Sequence, residues 1–263
     1  MSIPVPFGQY VPGMSPIHRL DPRVKLALVV AYVAVLFGAT EWWGLVVAGV
    51  AAAAALGLSG VPPRLALRGL RPVAWLLLFT VAANSLKLDS ADSLFQIGRV
   101  SVDAAGFRTG CFFAFRIIAL VVGTSLLTLT TSPVALTDAL TRVLAPLRML
   151  RVPVDDIAMM FSIALRFIPT TAEEAEKIIV AQSARGAVFD EGGPIRRARA
   201  WVPVLVPLFV NLFRRADDLA LAMESRCYTG ERRTRLHAPA MRVADWVVLV
   251  IGVGAAVAAT VLL

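Results

Sequence analysis

The chain has 263 residues, of which 58% are hydrophobic and 17% charged, with a net charge of +8 and a mean hydropathy of +0.74. A soluble domain carries about 45–50% apolar and about 25% charged residues, so this composition excludes an ordinary soluble globule and specifies an integral membrane protein. The two cysteines, Cys111 in an apolar run and Cys227 in a basic segment, exclude a disulfide framework and read as unpaired thiols.

In chain order, no charged residue precedes His18 and no short apolar run leads to a small-residue cleavage site, so a cleaved secretory leader is not expected. Leu26–Thr40 and Gly44–Ser59 are apolar runs joined by Glu41-Trp42-Trp43. One continuous helix would put Glu41 at mid-membrane, which is costly. A tight hairpin puts Glu41 and both tryptophans at an interface, where Trp is favoured. Arg64, Arg68 and Arg71 then form an acid-free loop, read as cytoplasmic. Val73–Leu86 is the third span. "KLDSADSLFQIGRVSVD", with Asp89, Asp92 and Asp103 against Lys87 and Arg99, reads as external. The fourth span, from about Phe107 to Thr130, contains Arg116, which is expected to face protein rather than lipid. The fifth span is Trp246–Leu263.

This order places the N-terminus and residues 132–242 in the cytoplasm. That region carries 16 Lys/Arg against 12 Asp/Glu. The positive excess follows the bias of cytoplasmic loops, and no nucleic-acid partner is expected.

Residues 132–242 read as three helices. Pro133–Leu147 starts behind Ser132, with Pro at the first helical position. Asp155–Arg185 repeats apolar residues at Ile157, Phe161, Ala164, Ile168, Ala172, Ala175 and Ile179, the spacing of a one-sided helix. Pro169 is expected to kink it, and the Thr170/Glu173 spacing to restart it as a capping box. Glu173 and Lys177 stand in the favourable order for an exposed pair. The third helix, Ile195–Cys227, repeats Trp201, Leu205, Leu208, Leu212, Ala216, Leu219 and Met223, with Arg214 and Asp218 placed to pair along its exposed face. Both long helices begin apolar and end charged. They are expected to start against the membrane domain and project into the cytoplasm. The alternative, that they lie on the lipid surface, sits less well with polar faces that mix acids and bases.

Each long helix ends in an arginine between small residues, Ala184-Arg185-Gly186 and Ser225-Arg226-Cys227. Gly186 suits the left-handed position that closes many helices, and an arginine there is favoured by the helix dipole. One such ending is explained by capping alone. Two, each closing a long helix, fit insertion into a partner's groove, where the guanidinium fork meets carboxylates or carbonyls.

These stretches resemble a known family. "GQYVPGMSPIHRLDPRVKL", "LRFIPTTAEEAEKIIVAQSARG" and "AMESRCYTGERRTRL" look, in that order, like the N-terminal signature and the two coupling helices of the T component, or transmembrane scaffold, of energy-coupling factor transporters, which are ABC-type vitamin and metal importers. The likeness covers essentially the whole chain, and its N-terminal form is similar to the shared type that serves several substrates. It implies that Arg185 and Arg226 each dock on one of two cytoplasmic ATPase subunits, and that a separate membrane S subunit binds the substrate. Ser225 and Cys227 depart from the Ala-Arg-Gly form. A left-handed Cys227 would be strained by roughly 1–2 kcal/mol, so the helix is expected to continue toward Gly230.

No G-x-x-x-x-G-K-[ST] loop is present, so ATP hydrolysis is not expected of this chain, and ATP would be bound by the partner subunits. His18 and His237 are far apart in sequence, and no metal site or catalytic set is expected. The reading is an all-α integral membrane protein of about five transmembrane helices: residues 1–131 with four spans, a cytoplasmic coupling domain at 132–242, and a last span at 243–263. Docking of the substrate-binding subunit is assigned to the helix bases at Met159, Met160, Ile163, Phe167, Trp201, Leu205, Leu208 and Leu212. Met159, Met160 and Met223 suit an adaptable surface or an ordinary core. A non-transport membrane anchor that recruits a soluble partner through the same helices is the alternative.

Overall fold

The computed structural model describes residues 10–88, 93–97, 100–150, 152–229 and 241–262. Gly8, Gln9, Asp89, Asp92, Arg99, Gly230 and His237, named above, lie outside these. The chain is overwhelmingly helical. The described residues fall into two compact units, one of residues 10–139 with 241–262 and the other of residues 140–229.

The first unit opens with a short helix, α1 (Pro16–Arg19), and continues as α2 (Pro22–Gly38), α3 (Trp42–Ser59), α4 (Pro63–Arg68) and α5 (Ala74–Ser85). Proline takes the first helical position in α2, and Asp21 caps it by accepting from the Arg23 amide, an arrangement that satisfies an end donor without using a helical bond. α2 stops at Gly38 and α3 starts at Trp42, with Glu41 as the cap residue between them. The expected break therefore falls at Glu41. Leu36, Ala39, Leu45, Ala48 and Ala119 form a buried cluster beside it.

The segment expected to be an external loop folds further, as a small antiparallel sheet of β1 (Leu86–Leu88), β2 (Ser93–Ile97) and β3 (Val100–Asp103), with β3 central. Alternation was hidden by the short run lengths. Asp103 ends β3 and caps α6 (Ala104–Thr130), accepting from the amides of Ala105 and Gly106. α3 and α6 are long and apolar enough to cross a membrane; α5 and Val243–Ala259 of α10 (Val243–Leu262) are shorter apolar helices.

Small residues let these helices touch backbone to backbone. A Cβ added at Gly106 would run into the Asn84 carbonyl oxygen, and one at Gly110 would lie 2.9 Å from Val81 Cα, so α5 and α6 meet without side chains between them. Polar side chains fasten other helix ends. Arg116 donates to the Ala39 carbonyl past the end of α2, and its guanidinium carbon lies 4.9 Å from the Phe112 ring centroid. Buried Lys25 donates to the Thr130 carbonyl (2.9 Å) at the end of α6. Asp245 of α10 accepts from the Asp21 amide. The N-terminal signature is thus a fastening: His18 bonds Ser15 and the Val11 carbonyl, and the Val11 amide donates to Leu129.

α7 (Pro133–Val143) spans the division between the units. It is shorter than expected, because residues Ala145–Leu150 tighten into a 3-10 turn. α8 (Val154–Ala184) and α9 (Pro194–Glu224) are each 31 residues long. α8 runs unbroken through Pro169. The expected restart at Thr170 does not occur: the Thr170 hydroxyl donates back to the Phe167 carbonyl instead. That bond does not fill the gap left by Pro169, since the carbonyl deprived of an amide is that of Leu165.

Candidate coupling surface

α8 and α9 run in opposite senses. Phe189, just beyond α8, packs against Trp201 near the start of α9, with ring centroids 5.1 Å apart. The Gln182 side chain donates to the Pro203 carbonyl, while Arg215, further along α9, reaches back to Thr170 and Glu174. This corrects the expectation that both helices start at the same end and run the same way. Chain length dictates the result. Residues 185–193 separate the helices, and nine residues reach at most about 30 Å. A 31-residue helix is about 46 Å long, so α9 cannot begin beside the start of α8.

The arginines close both helices in the same way. After α8, the Gly186 amide donates to Ser183 (3.0 Å) and the Ala187 amide to Gln182 (3.0 Å). After α9, the Cys227 amide donates to Glu224 (2.9 Å) and the Tyr228 amide to Met223 (3.0 Å). Both are Schellman caps, in which a left-handed residue turns the chain so that two trailing amides satisfy carbonyls of the last turn. That residue is Gly186 at φ +84° in one and Cys227 at φ +57° in the other. Helix α9 therefore ends at Glu224 and does not continue toward Gly230, despite the strain on Cys227. A Cβ at Gly186 would meet nothing within 4 Å, so backbone conformation, not space, is what favours glycine there. In both caps the arginine immediately precedes the left-handed residue. Ala184, Arg185, Gly186, Ser225, Arg226 and Cys227 are all exposed, leaving both guanidinium groups presented at the ends.

The residues assigned to the helix bases divide. Met160, Trp201 and Leu205 are exposed, Met160 at 68%. Met159, Ile163, Phe167, Leu208 and Leu212 are half-buried. Because the helices are antiparallel, the Trp201–Phe213 block lies beside the charged half of α8, not beside Met159. A further exposed apolar face on α9, made by Val202, Val206, Phe209, Val210 and Phe213, extends the surface. The 3–4 spacing that identified the helix is equally compatible with this face, and composition alone did not separate it from the packed stripe.

The expected ion pairs of Arg214 with Asp218 and of Glu173 with Lys177 are not among those of the described residues. Arg215 pairs with Glu174 across the helices instead, and Arg148 of the 3-10 turn pairs with Asp155 in the first turn of α8. No group of three or more His, Cys, Asp or Glu that could hold a metal occurs among the described residues.

Comparison with known proteins places these features in a family. The family model for CbiQ, cobalt transport protein, matches residues 13–236. A protein of Thermosediminibacter oceani named energy-coupling factor transporter transmembrane protein EcfT is 48% identical over 242 residues, 92% of this chain and 91% of its own. Proteins of the same name from Ruminiclostridium cellulolyticum and Bacillus subtilis are 43% and 44% identical, over 95% and 87% of this chain and 92% and 86% of theirs.

Proposed function

Because this chain belongs to the CbiQ family, and within it to the transmembrane T components of energy-coupling factor transporters, we propose that it is the non-catalytic scaffold that carries ATP-driven movement from two ABC ATPase subunits to a substrate-binding S subunit. Arg185 and Arg226 each engage one ATPase. The supporting observation is the matched pair of Schellman caps: two ends of unlike sequence adopt one hydrogen-bond pattern and present an exposed arginine at the same position in each. A left-handed Cys227 is strained, and the cap forms there all the same. Kept geometry at that cost is what a docking site of fixed shape requires.

The S subunit rests on the exposed apolar face of α9 that includes Trp201 and Leu205, with Leu208 and Leu212 behind it, and makes a second contact at Met159, Met160, Ile163 and Phe167 toward the other end of the pair. Large exposed apolar faces mark either lipid or protein contact, and the acidic residues interspersed along α8 favour protein. The chain is a multi-pass protein of the cell membrane, with its N-terminus and residues 132–242 in the cytoplasm. Its cargo is a vitamin or another micronutrient, selected by the S subunit, and its N-terminal signature fits the type shared among several S subunits. ATP binds the partners and no cofactor is held by this chain.

The test is the double variant Arg185→Glu with Arg226→Glu. Capture of the ATPases by the tagged chain, and vitamin uptake by cells that depend on it, are expected to fall at least about a hundredfold, since two grips are lost together. Wild-type capture and uptake would remove the docking assignment. Capture of a soluble partner with neither ATPases nor a small membrane subunit would favour the non-transport anchor.

A further inference from the structure

We propose that Arg215 is a positioning residue: together with Glu174 it forms a fulcrum that fixes the crossing of α8 and α9, and so sets the spacing of the two arginine tips. Its significance for coupling rests on the docking reading above; its geometry does not.

The first observation is where the contact falls. Arg185 lies as far along the chain beyond Glu174 as Arg226 lies beyond Arg215. At 1.5 Å per residue each arm is about 16 Å long. The sequence offset between the two tips is therefore the same as that between Glu174 and Arg215. In an antiparallel pair of equal helices that makes this contact the point about which the two arms are equivalent.

The second observation is how Arg215 is held. One terminal nitrogen (Nη1) donates to the Thr170 hydroxyl at 3.0 Å, the other (Nη2) to Glu174 Oε1. Its guanidinium carbon lies 5.5 Å from the Phe167 ring centroid. One planar fork therefore grips α8 on both sides of Pro169, with Phe167 before it and Thr170 and Glu174 after it. Proline leaves the Leu165 carbonyl without its amide partner, so this turn is the weakest in α8. A brace across it stiffens the arm where it would otherwise bend. Arginine suits the task and lysine does not, because only a fork can serve a hydroxyl, a carboxylate and a ring face together. The other oxygen of Glu174 is buried without a partner, so removing Arg215 would strand a carboxylate in the interface.

The experiment measures the spacing of the arms directly. Spin labels at Ala181→Cys and Ala222→Cys, both on exposed positions, are placed in the full chain with Cys111→Ala and Cys227→Gly, in lipid nanodiscs. Pulsed dipolar spectroscopy is expected to give one narrow distance distribution. Arg215→Met is expected to broaden it, Arg215→Lys to broaden it partly, and the exchange Arg215→Glu with Glu174→Arg to narrow it again in part, since it restores the ion pair but not the contacts of the fork with Thr170 and Phe167. An unchanged distribution in Arg215→Met overturns the proposal; so does broadening that the exchange leaves uncorrected, which marks general loosening. In the unlabelled chain, Arg215→Met is expected to keep one ATPase and lose the second about tenfold more readily, since two-point binding needs a fixed span. Broadened arms with undiminished capture of the pair would overturn the positioning role. Absence of ATPase capture by the wild-type chain would count against docking, while the distance measurement still decides the fulcrum.

Discussion

The two units of this protein spend their polar side chains differently. In the membrane unit, Lys25, Tyr32 and Arg116 all donate to backbone carbonyls of neighbouring elements, and glycines bring α5 and α6 into direct backbone contact. In the unit of α8 and α9 only Val154, Ala158 and Val204 are buried among residues 152–229. There the helices are joined by an ion pair and a few side-chain bonds, and large apolar faces are left bare. The first unit also leaves apolar side chains bare, Trp43 and Trp75 among them, as a surface facing lipid does. The second has the interior of something unfinished, and the family to which the chain belongs supplies the reason: it is one component of a transporter.

That contrast is open to attack from both sides. The largest effect is expected in the membrane unit at Gly106. Gly106→Ala drives a methyl group toward the Asn84 carbonyl and is expected to cost about 3 kcal/mol or more, read as loss of folded protein in detergent and a lowered thermal midpoint. Lys25→Met comes next. It leaves the Thr130 carbonyl without its buried donor, at about 1–3 kcal/mol, and is expected to lower the same midpoint while leaving residues 140–229 as helical as before. The smallest effect belongs to the helix pair. Cys227→Gly relieves the left-handed strain and is expected to gain about 1 kcal/mol at that end alone. Hydrogen exchange of the Cys227-position and Tyr228 amides would slow about fivefold, with the thermal midpoint unmoved. Gly186→Ala should do the reverse at the other tip. If Lys25→Met and Cys227→Gly changed global and local stability alike, the division between a unit tied by backbone contacts and a pair tied by side chains would be wrong.

Much of this was legible in the residues. The 3–4 spacing located α8 within a residue at each end, and α9 within a residue at its start and three at its end. The charge at Glu41 located the break between α2 and α3. Both tip arginines were visible because each closed a long amphipathic run. What escaped has a common cause. Spacing rules see neighbours three or four residues apart, so they nominated Glu173–Lys177 and Arg214–Asp218, whereas the observed pair, Glu174 with Arg215, is distant in sequence and joined through tertiary packing. Cys227 escaped for a related reason. Local preference argues against a left-handed cysteine, and the preference is overridden by the two amide bonds that the cap gains. The opposite sense of the helices was within reach, since nine connecting residues cannot span the length of α8, but amphipathic character says nothing about direction.

Opposed helices of equal length have a mechanical corollary. Displacements of Arg185 and Arg226 in the same direction translate the pair, but displacements in opposite directions act at opposite ends and exert a torque. The apolar face on α9 then swings instead of advancing, and whatever rests upon it is turned.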